Sequence, residues 1–373
     1  MKELFINGRV WQEDHSFAEN CPILVENGRI LAVGKGSDSA AADRVTDCRG
    51  LMVLPGLLDV HTHGRAGGDF STASAEKMRQ MRTDYLRHGV TSLFPTLASG
   101  TAEKWHTAIR NIQACGFDGI HLEGRYLNPV KRGAHPERLL VPLSAADLEE
   151  YLCEIRIPCH VTAAYELDTD GSFAAKALEH GATLGLGHTN ATTAEAELAV
   201  SRGVTSFTHL YNAMPPLHHR AGGAVSVALN GGYYGELIAD GMHVCPEMIR
   251  LAYRCLGKDR FVLITDSMEA TGCPDGQYAI AGQPVQVVGG RALTLDGALA
   301  GSTLNLWDGV QNLMRFAGVP LEDAIACAAL NPARMVGVSE AVGSIAPGKR
   351  ADLLLTEDGA HLKTVISAGV PVI

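Results

Sequence analysis

The sequence predicts an α/β protein: a (β/α)8 TIM-type barrel over residues 51–344, with a small β-sandwich domain formed by the N- and C-terminal segments, residues 1–50 and 345–373. Three observations predict it. Eight short apolar runs alternate with stretches of helical length and pattern. Five of those helical stretches are followed at once by glycine, and both chain ends carry strand patterning with turn signals. At 373 residues the chain exceeds one ordinary domain but is filled by a barrel with an attachment.

The chain ends come first. Phe5-Ile6-Asn7-Gly8-Arg9-Val10 and Val25-Glu26-Asn27-Gly28-Arg29-Ile30 each set Asn-Gly between apolar residues, the pattern of a two-residue hairpin. Near the other end, Pro347-Gly348-Lys349 leads into Ala351-Asp352-Leu353-Leu354-Leu355-Thr356, then Val365-Ile366 and residues 370–373. Two β-rich ends flanking a long α/β middle are expected to pair with each other outside the barrel.

In the middle, strands are predicted at 51–61, 90–97, 119–123, 159–166, 183–188, 205–210, 235–240 and 261–266. Helices are predicted at 74–88, 102–115, 144–156, 172–180, 193–202 and 246–256, with two more at 304–317 and 321–330 closing the region. Gly89, Gly116, Gly181, Gly203 and Gly257 stand where a helix ends in a left-handed residue. Eight such units favour a barrel over a doubly wound sheet, whose G-x-G-x-x-G fingerprint is absent after the first strand.

Composition narrows the function classes. The chain is 46% hydrophobic and 19% charged, with a formal net charge of −10, which argues against a nucleic-acid footprint or a basic membrane-binding face. The N-terminal MKELFINGRVWQED lacks the apolar core of a signal peptide, and no stretch approaches the roughly 18 apolar residues of a membrane span. Nine scattered cysteines without C-x-x-C suit reduced thiols better than a disulfide framework. The expected compartment is the cytoplasm.

The chemistry gathers at strand ends. The stretch 54–69, LPGLLDVHTHGRAGGD, brings an apolar run to His61 and His63, two apart and therefore on one strand face. Paired imidazoles suit half of a divalent-metal site, although two histidines can equally be polar strand-end residues. The third strand ends in His121-Leu122-Glu123-Gly124, the fifth in Gly187-His188-Thr189-Asn190, the sixth in Thr208-His209-Leu210 and the eighth in Thr265-Asp266-Ser267. Singly, Glu123 or His188 reads as a hydrogen-bonded loop residue and Asp266 as a helix N-cap. Together, four histidines and two acids at five strand ends point to one metal site at the C-terminal face of a barrel.

These motifs carry a family resemblance. D-x-H-x-H-G at 59–64, H-L-E-G at 121–124, G-H-T-N-A-T at 187–192, T-H-L-Y-N-A-M at 208–214, D-G-x-H-V at 240–244 and Thr265-Asp266 resemble the amidohydrolase superfamily. Within it they look most like the N-acetylglucosamine-6-phosphate deacetylase branch. The resemblance implies that Glu123, His188 and His209 hold the principal divalent metal, with His61, His63 and Asp266 available for a second. One or two ions per subunit are implied. Zinc is the first choice, and iron, manganese or cobalt also suit the ligand types.

The implied reaction is hydrolysis of the acetamide of N-acetylglucosamine 6-phosphate to acetate and glucosamine 6-phosphate. A metal activates water and polarises the carbonyl, and Asp266 shuttles the proton. No G-x-S-x-G elbow supports a serine mechanism. For the substrate, a phosphorylated amino sugar, the resemblance assigns His135 to the acetamide oxygen or a sugar hydroxyl. It gives Asn212 and Ala213 to the phosphate and places His243 near the sugar. Arg220 would supply a guanidinium, reaching in from a neighbouring subunit of a homodimer. The alternative for Lys131, Arg132 and 218–220 is a solvated basic loop.

Two positions depart from the branch. Arg125-Tyr126 stand where proline is usual after Glu-Gly, and Ala221-Gly222-Gly223 stand where an acidic residue and Pro-Gly are usual. Arg125 is accordingly a candidate extra contact for an anionic group. Competing readings are the same chemistry on N-acetylgalactosamine 6-phosphate or an N-acyl amino acid, and an inactive barrel used for binding.

Overall fold

The structure, a computed structural model, describes residues 1–37 and 42–372. Leu57–Thr62, Val90–Leu97, Ile120–Glu123, Cys159–Ala163, Thr183–Leu186, Ser206–Phe207, Tyr234–Ile238 and Phe261–Ile264 form one parallel eight-stranded sheet in chain order. Nearly every residue of these strands is buried, as expected of parallel strands covered on both faces. The barrel closes between its first and last strands. There Thr62 bridges Ser267, the Asp266 N–H donates to the His61 carbonyl at 2.9 Å, and the Thr265 hydroxyl donates to Asp59 at 2.6 Å.

The strands are shorter than predicted at their mouth-side ends. The runs expected at 159–166, 183–188, 205–210, 235–240 and 261–266 stop at Ala163, Leu186, Phe207, Ile238 and Ile264. For three of the five the reason is conformational: His188, His209 and Asp266 have φ of 46°, 32° and 48°, which no strand accommodates. The expected helix at 144–156 is Ala145–Leu152, and the one at 321–330 divides into Leu321–Ala328 and Leu330–Met335. Gly223–Asn230 is a further helix that the sequence pattern does not announce.

Outside the barrel, Lys2–Ile6, Ile23–Glu26, Arg29–Val33 and Arg44–Asp47 form a four-stranded sheet. A six-stranded sheet runs in the order Val370–Pro371, Leu362–Ser367, Leu353–Thr356, Met52–Pro55, Arg9–Trp11, Phe17–Ala18. Phe5, Val10, Ile23, Val53, Leu353 and Ile366 share an apolar core drawn from both sheets. Residues 38–41 and Ile373, which fall in the segments expected to build this region, lie outside the described residues.

Two expectations are corrected here. The single strand at 51–61 is two strands, one in each body, broken at Gly56. Its N–H donates to Asp352 O at 3.0 Å, and a Cβ there would lie 2.1 Å from Thr91 Oγ1, so only glycine passes between the layers. The Asn7-Gly8 pair is not a hairpin either, because Lys2–Ile6 and Arg9–Trp11 lie in different sheets. Gly8 packs against Val53 and Cys48, and Asn7 donates to Asp47 at 2.9 Å, fixing a crossover between sheets. Asn27-Gly28 does form its hairpin, with φ of 50° and 77°.

No sheet is expected from the sequence between the eighth barrel strand and the closing helices. Gly276–Ile280, Gln283–Val288 and Arg291–Thr294 form an antiparallel sheet there, with a small apolar core of its own. Ile280 of this sheet lines the cavity at the barrel mouth.

Candidate metal centre and active site

Seen from its residues, the barrel mouth is built by period-two placement. His61 in the first strand and His63 just past its end turn to the same side, and Glu123 ends the third. His188 and His209 follow the fifth and sixth strands in left-handed backbone, as does Asp266 after the eighth. That conformation costs a side-chain-bearing residue about 1–2 kcal/mol each, and clustered strain of this kind marks functional sites.

Glu123 is the shared centre. Its Oε1 lies 3.3 Å from His188 Nε2 and 3.0 Å from His209 Nε2, while Oε2 lies 3.2 Å from His61 Nε2 and 3.0 Å from His63 Nε2. The two sides of one carboxylate thus complete two separate ligand triads. Asp266 belongs to the His61/His63 side, its Oδ1 3.3 Å from His63 Nε2 and 3.6 Å from His61 Nε2.

The donor set fits a divalent ion. His61 Nε2 and Glu123 Oε1 are buried without a hydrogen-bond partner. His188 Nδ1 donates to the Lys131 carbonyl at 2.8 Å, leaving its Nε2 lone pair aimed at His209 Nε2, 3.0 Å away. Ligand atoms 2.0–2.1 Å from a tetrahedral ion stand roughly 3.3 Å apart, close to the separations found here. Charge tells the same story. Burial pulls His63 down, but Asp266 and Glu123 outweigh it and push its pKa up to about 9. Burial likewise opposes ionisation of Glu123, and His61, His188 and His209 hold it well below the usual carboxylate range. The cluster demands positive charge at its centre.

Beneath these candidate ligands lies a polar layer that sequence reasoning missed. Glu236, fully buried in the seventh strand, accepts from His61 Nδ1 at 3.1 Å and faces His160 Nε2 at 3.5 Å. Burial acts to raise it, yet His160 and His61 bring its pKa to about 2. His121 bonds Thr162 at 2.8 Å and Thr96 at 3.1 Å, and burial with the neighbouring His61 keeps it well below the ordinary imidazole range. The available signal was positional: His121 stands two before Glu123, and Glu236 interrupts an apolar run. Glu166 was also missed; its carboxylate accepts from Asn128, Thr189 and the Asn190 N–H, tying the third and fifth loops together.

A cavity of about 290 Å³ opens above the ligands, lined by His63, Glu123, His188, His209 and Asp266 together with His135, Asn212, Ala213 and His243. Ile280 from the antiparallel insert, with Leu299 and Ala300 just after it, forms its apolar wall. His135 is buried, with Nε2 3.9 Å from Glu123 Oε2; burial first, and then the nearby His188, push its pKa down to about 3. His243 Nδ1 donates to Asp240 at 2.6 Å, which leaves Nε2 for a ligand. Asn212 and Ala213 follow His209 in a turn whose Ala213 φ is 51°.

Two basic candidates are placed elsewhere. Arg220 is exposed, its Nε 2.9 Å from His219 Nε2, and it does not line the cavity of its own chain. Arg125, expected as an extra anion contact, is buried outside the cavity. Its guanidinium donates to Gly100 O at 3.0 Å and to Asp147 at 3.3 Å, between the rings of Trp105 and Tyr151. It is a structural cation because Asp147 neutralises it and two aromatic faces cover it. Lys131 does line the cavity, with Nζ donating to Met214 O at 3.1 Å.

Comparison with known proteins is consistent over the whole chain. Residues 52–372 match the amidohydrolase family. An N-acetylgalactosamine-6-phosphate deacetylase from Escherichia coli O157:H7 is 34% identical, covering 95% of this chain and 94% of that one. An N-acetylglucosamine-6-phosphate deacetylase from Vibrio furnissii is 33% identical over 94% of this chain and 88% of its own. Among solved structures, a mutant N-acetyl-D-glucosamine-6-phosphate deacetylase from Mycobacterium smegmatis in complex with N-acetyl-D-glucosamine-6-phosphate superposes with a TM-score of 0.90. It is 31% identical, covering 100% of this chain and 99% of that one.

Proposed function

From the premise that this chain belongs to the amidohydrolase family, we propose that it is a metal-dependent deacetylase of N-acetylglucosamine 6-phosphate, releasing acetate and glucosamine 6-phosphate in amino-sugar metabolism. The observation that carries this reading is Glu123 shared between two histidine pairs at the floor of a cavity lined by His135, Asn212 and His243.

Glu123, His188 and His209 are the ligands of the principal ion, and His61, His63 and Asp266 those of a second. Zinc is the proposed metal, with iron, manganese and cobalt as the alternatives. A divalent ion bound there supplies Lewis-acid polarisation of the acetamide carbonyl and a water made acidic enough to attack near neutral pH. Burial opposes ionisation of Asp266, while the positive charge it faces, on His61 and His63 or on a bound ion in their place, favours it. The carboxylate is therefore ready to take the proton from the attacking water and return it to the departing amine. His135, neutral at physiological pH, donates a hydrogen bond to the carbonyl oxygen as negative charge develops there. Asn212 and the backbone at Ala213 bind the phosphate, and His243, fixed by Asp240, binds the sugar.

We assign Arg220 to the phosphate of a partner subunit in a homodimer. Its exposure and its place outside its own cavity support that role, and a guanidinium fork suits phosphate. The proposed compartment is the cytoplasm; among the described residues no helix is long and apolar enough to cross a membrane.

N-acetylgalactosamine 6-phosphate is the second reading, favoured by the Escherichia coli relative. An acetate-release assay with both epimers, with and without the 6-phosphate and across added zinc, iron, manganese and cobalt, tests all of this. Release from none of them refutes the reading. Equal rates without phosphate remove the roles of Asn212, Ala213 and Arg220.

A further inference from the structure

We propose that Ser99 is a positioning residue that fixes the tautomer of His135, and that Arg125 is the buried clamp that holds Ser99 to this task. The inference rests on the reading of His135 as the group that meets the acetamide oxygen.

Ser99 lies just past the second barrel strand, Val90–Leu97. Its hydroxyl is 2.9 Å from His135 Nδ1, and its own backbone N–H points at the same nitrogen from 3.3 Å. The hydroxyl oxygen accepts the Arg125 backbone N–H at 2.9 Å. Ser99 and His135 are both buried, so no bulk water competes for these groups. The backbone N–H, at 3.3 Å, favours an unprotonated Nδ1 only weakly; the Ser99 hydroxyl, whose oxygen already accepts the Arg125 N–H, turns its hydrogen to Nδ1 as the shorter and stronger donor, so Nδ1 is the acceptor. In a neutral imidazole the one ring proton then sits on Nε2. Nε2 is the nitrogen on the Glu123 side, so the donor is presented to the reacting carbonyl before substrate arrives.

The relay depends on the departure at residue 125. Proline, usual in the branch this chain resembles, has no N–H to give Ser99. Arg125 gives one, and does so from a left-handed backbone with φ of 61°, a conformation that side-chain-bearing residues seldom adopt. Its guanidinium explains how that conformation is held. It bonds Gly100 O and Asp147, and Tyr126 donates to the same Asp147 carboxylate at 2.7 Å. Gly124 completes the fit, since a Cβ there would lie 2.4 Å from the Ser99 nitrogen. The loop carrying Glu123 and the residue orienting His135 are therefore in direct backbone contact.

The test uses zinc-loaded full-length protein with 15N-labelled histidine, the His135 signals being assigned by their loss in His135→Gln. Wild type should show a bare Nδ1 and a protonated Nε2. Ser99→Ala leaves only the longer backbone donor and should shift His135 toward a tautomer mixture. It should lower kcat on N-acetylglucosamine 6-phosphate by about 10- to 100-fold, the range for losing an outer hydrogen-bond partner, with KM little changed. Ser99→Thr keeps a hydroxyl and should restore both signals and kcat. In the His135→Gln background, Ser99→Ala should cost nothing further. An unchanged tautomer in Ser99→Ala, or an equal loss of kcat with and without His135, overturns the proposal. If His135→Gln retains wild-type kcat while Ser99→Ala still shifts the tautomer, the hydrogen-bond relay stands and the role given to His135 in the reaction is refuted instead.

Discussion

Replacing Glu236 should weaken metal binding at the His61/His63 side without touching a ligand. The carboxylate is fully buried, accepts from His61 Nδ1 at 3.1 Å and leaves Nε2 bare toward Glu123 and Asp266. In Glu236→Gln an amide oxygen can still take the Nδ1–H, so a charge-assisted hydrogen bond becomes a neutral one. The difference is about 1–1.5 kcal/mol, or roughly tenfold in affinity. In Glu236→Leu the acceptor is gone and a buried N–H is left unpaired, adding about 1–3 kcal/mol and bringing the loss to roughly a hundredfold or more. Outer-sphere partners of ligating histidines span the same range. Competition titration against a chromogenic chelator, with metal content read after dialysis, measures this directly. The order wild type, Gln, Leu is the expected result, with the Glu123/His188/His209 ion retained throughout. Superimposable titrations of wild type and Glu236→Leu would refute the claim that this carboxylate supports His61.

Other consequences follow from the same geometry. Asp266→Asn should keep most bound metal yet lose about 10²–10⁴ in turnover, the usual worth of a general acid–base group; near-normal kcat in a metal-replete sample would end the proton-shuttle role. Gly124→Ala pushes a methyl group to 2.4 Å from Ser99 N, and an overpacked backbone contact of this kind should cost about 1–3 kcal/mol in denaturant unfolding. A stability equal to wild type would show that the 98–99 segment moves freely. Burial raises the thiols of Cys48 and Cys159 to about 11 and about 12, so both stay protonated below those values. At pH 8, iodoacetamide should therefore modify the exposed Cys153, Cys245 and Cys255 first, as read by mass spectrometry, and equal labelling of Cys159 would contradict its burial.

The barrel and the grouping of these side chains at its mouth were legible because two periodicities carry them. Strand alternation put His61 with His63, and the βα repeat put Glu123, His188, His209 and Asp266 at one end of parallel strands. The hairpin at Asn27-Gly28 was legible for the same local reason. Asn7-Gly8 was not, because whether Asn-Gly turns back or crosses between sheets depends on what packs against the glycine. Here that is Val53, more than forty residues away. The break at Gly56 follows the same rule, with Thr91 and Asp352 as the distant walls.

What the amino-acid order determined by itself is the set of chemical groups and the strands that present them, because side-chain period and turn chemistry act over a few residues. What only the tertiary structure decided is how those groups are shared and supported. It placed the two oxygens of Glu123 between different histidine pairs and Glu236 under His61. It also brought Ile280 of the insert to the cavity wall and turned Arg125 away from the cavity to pair with Asp147. Each of these is a contact between distant segments, and its energy depends on burial and on a partner that no local pattern names.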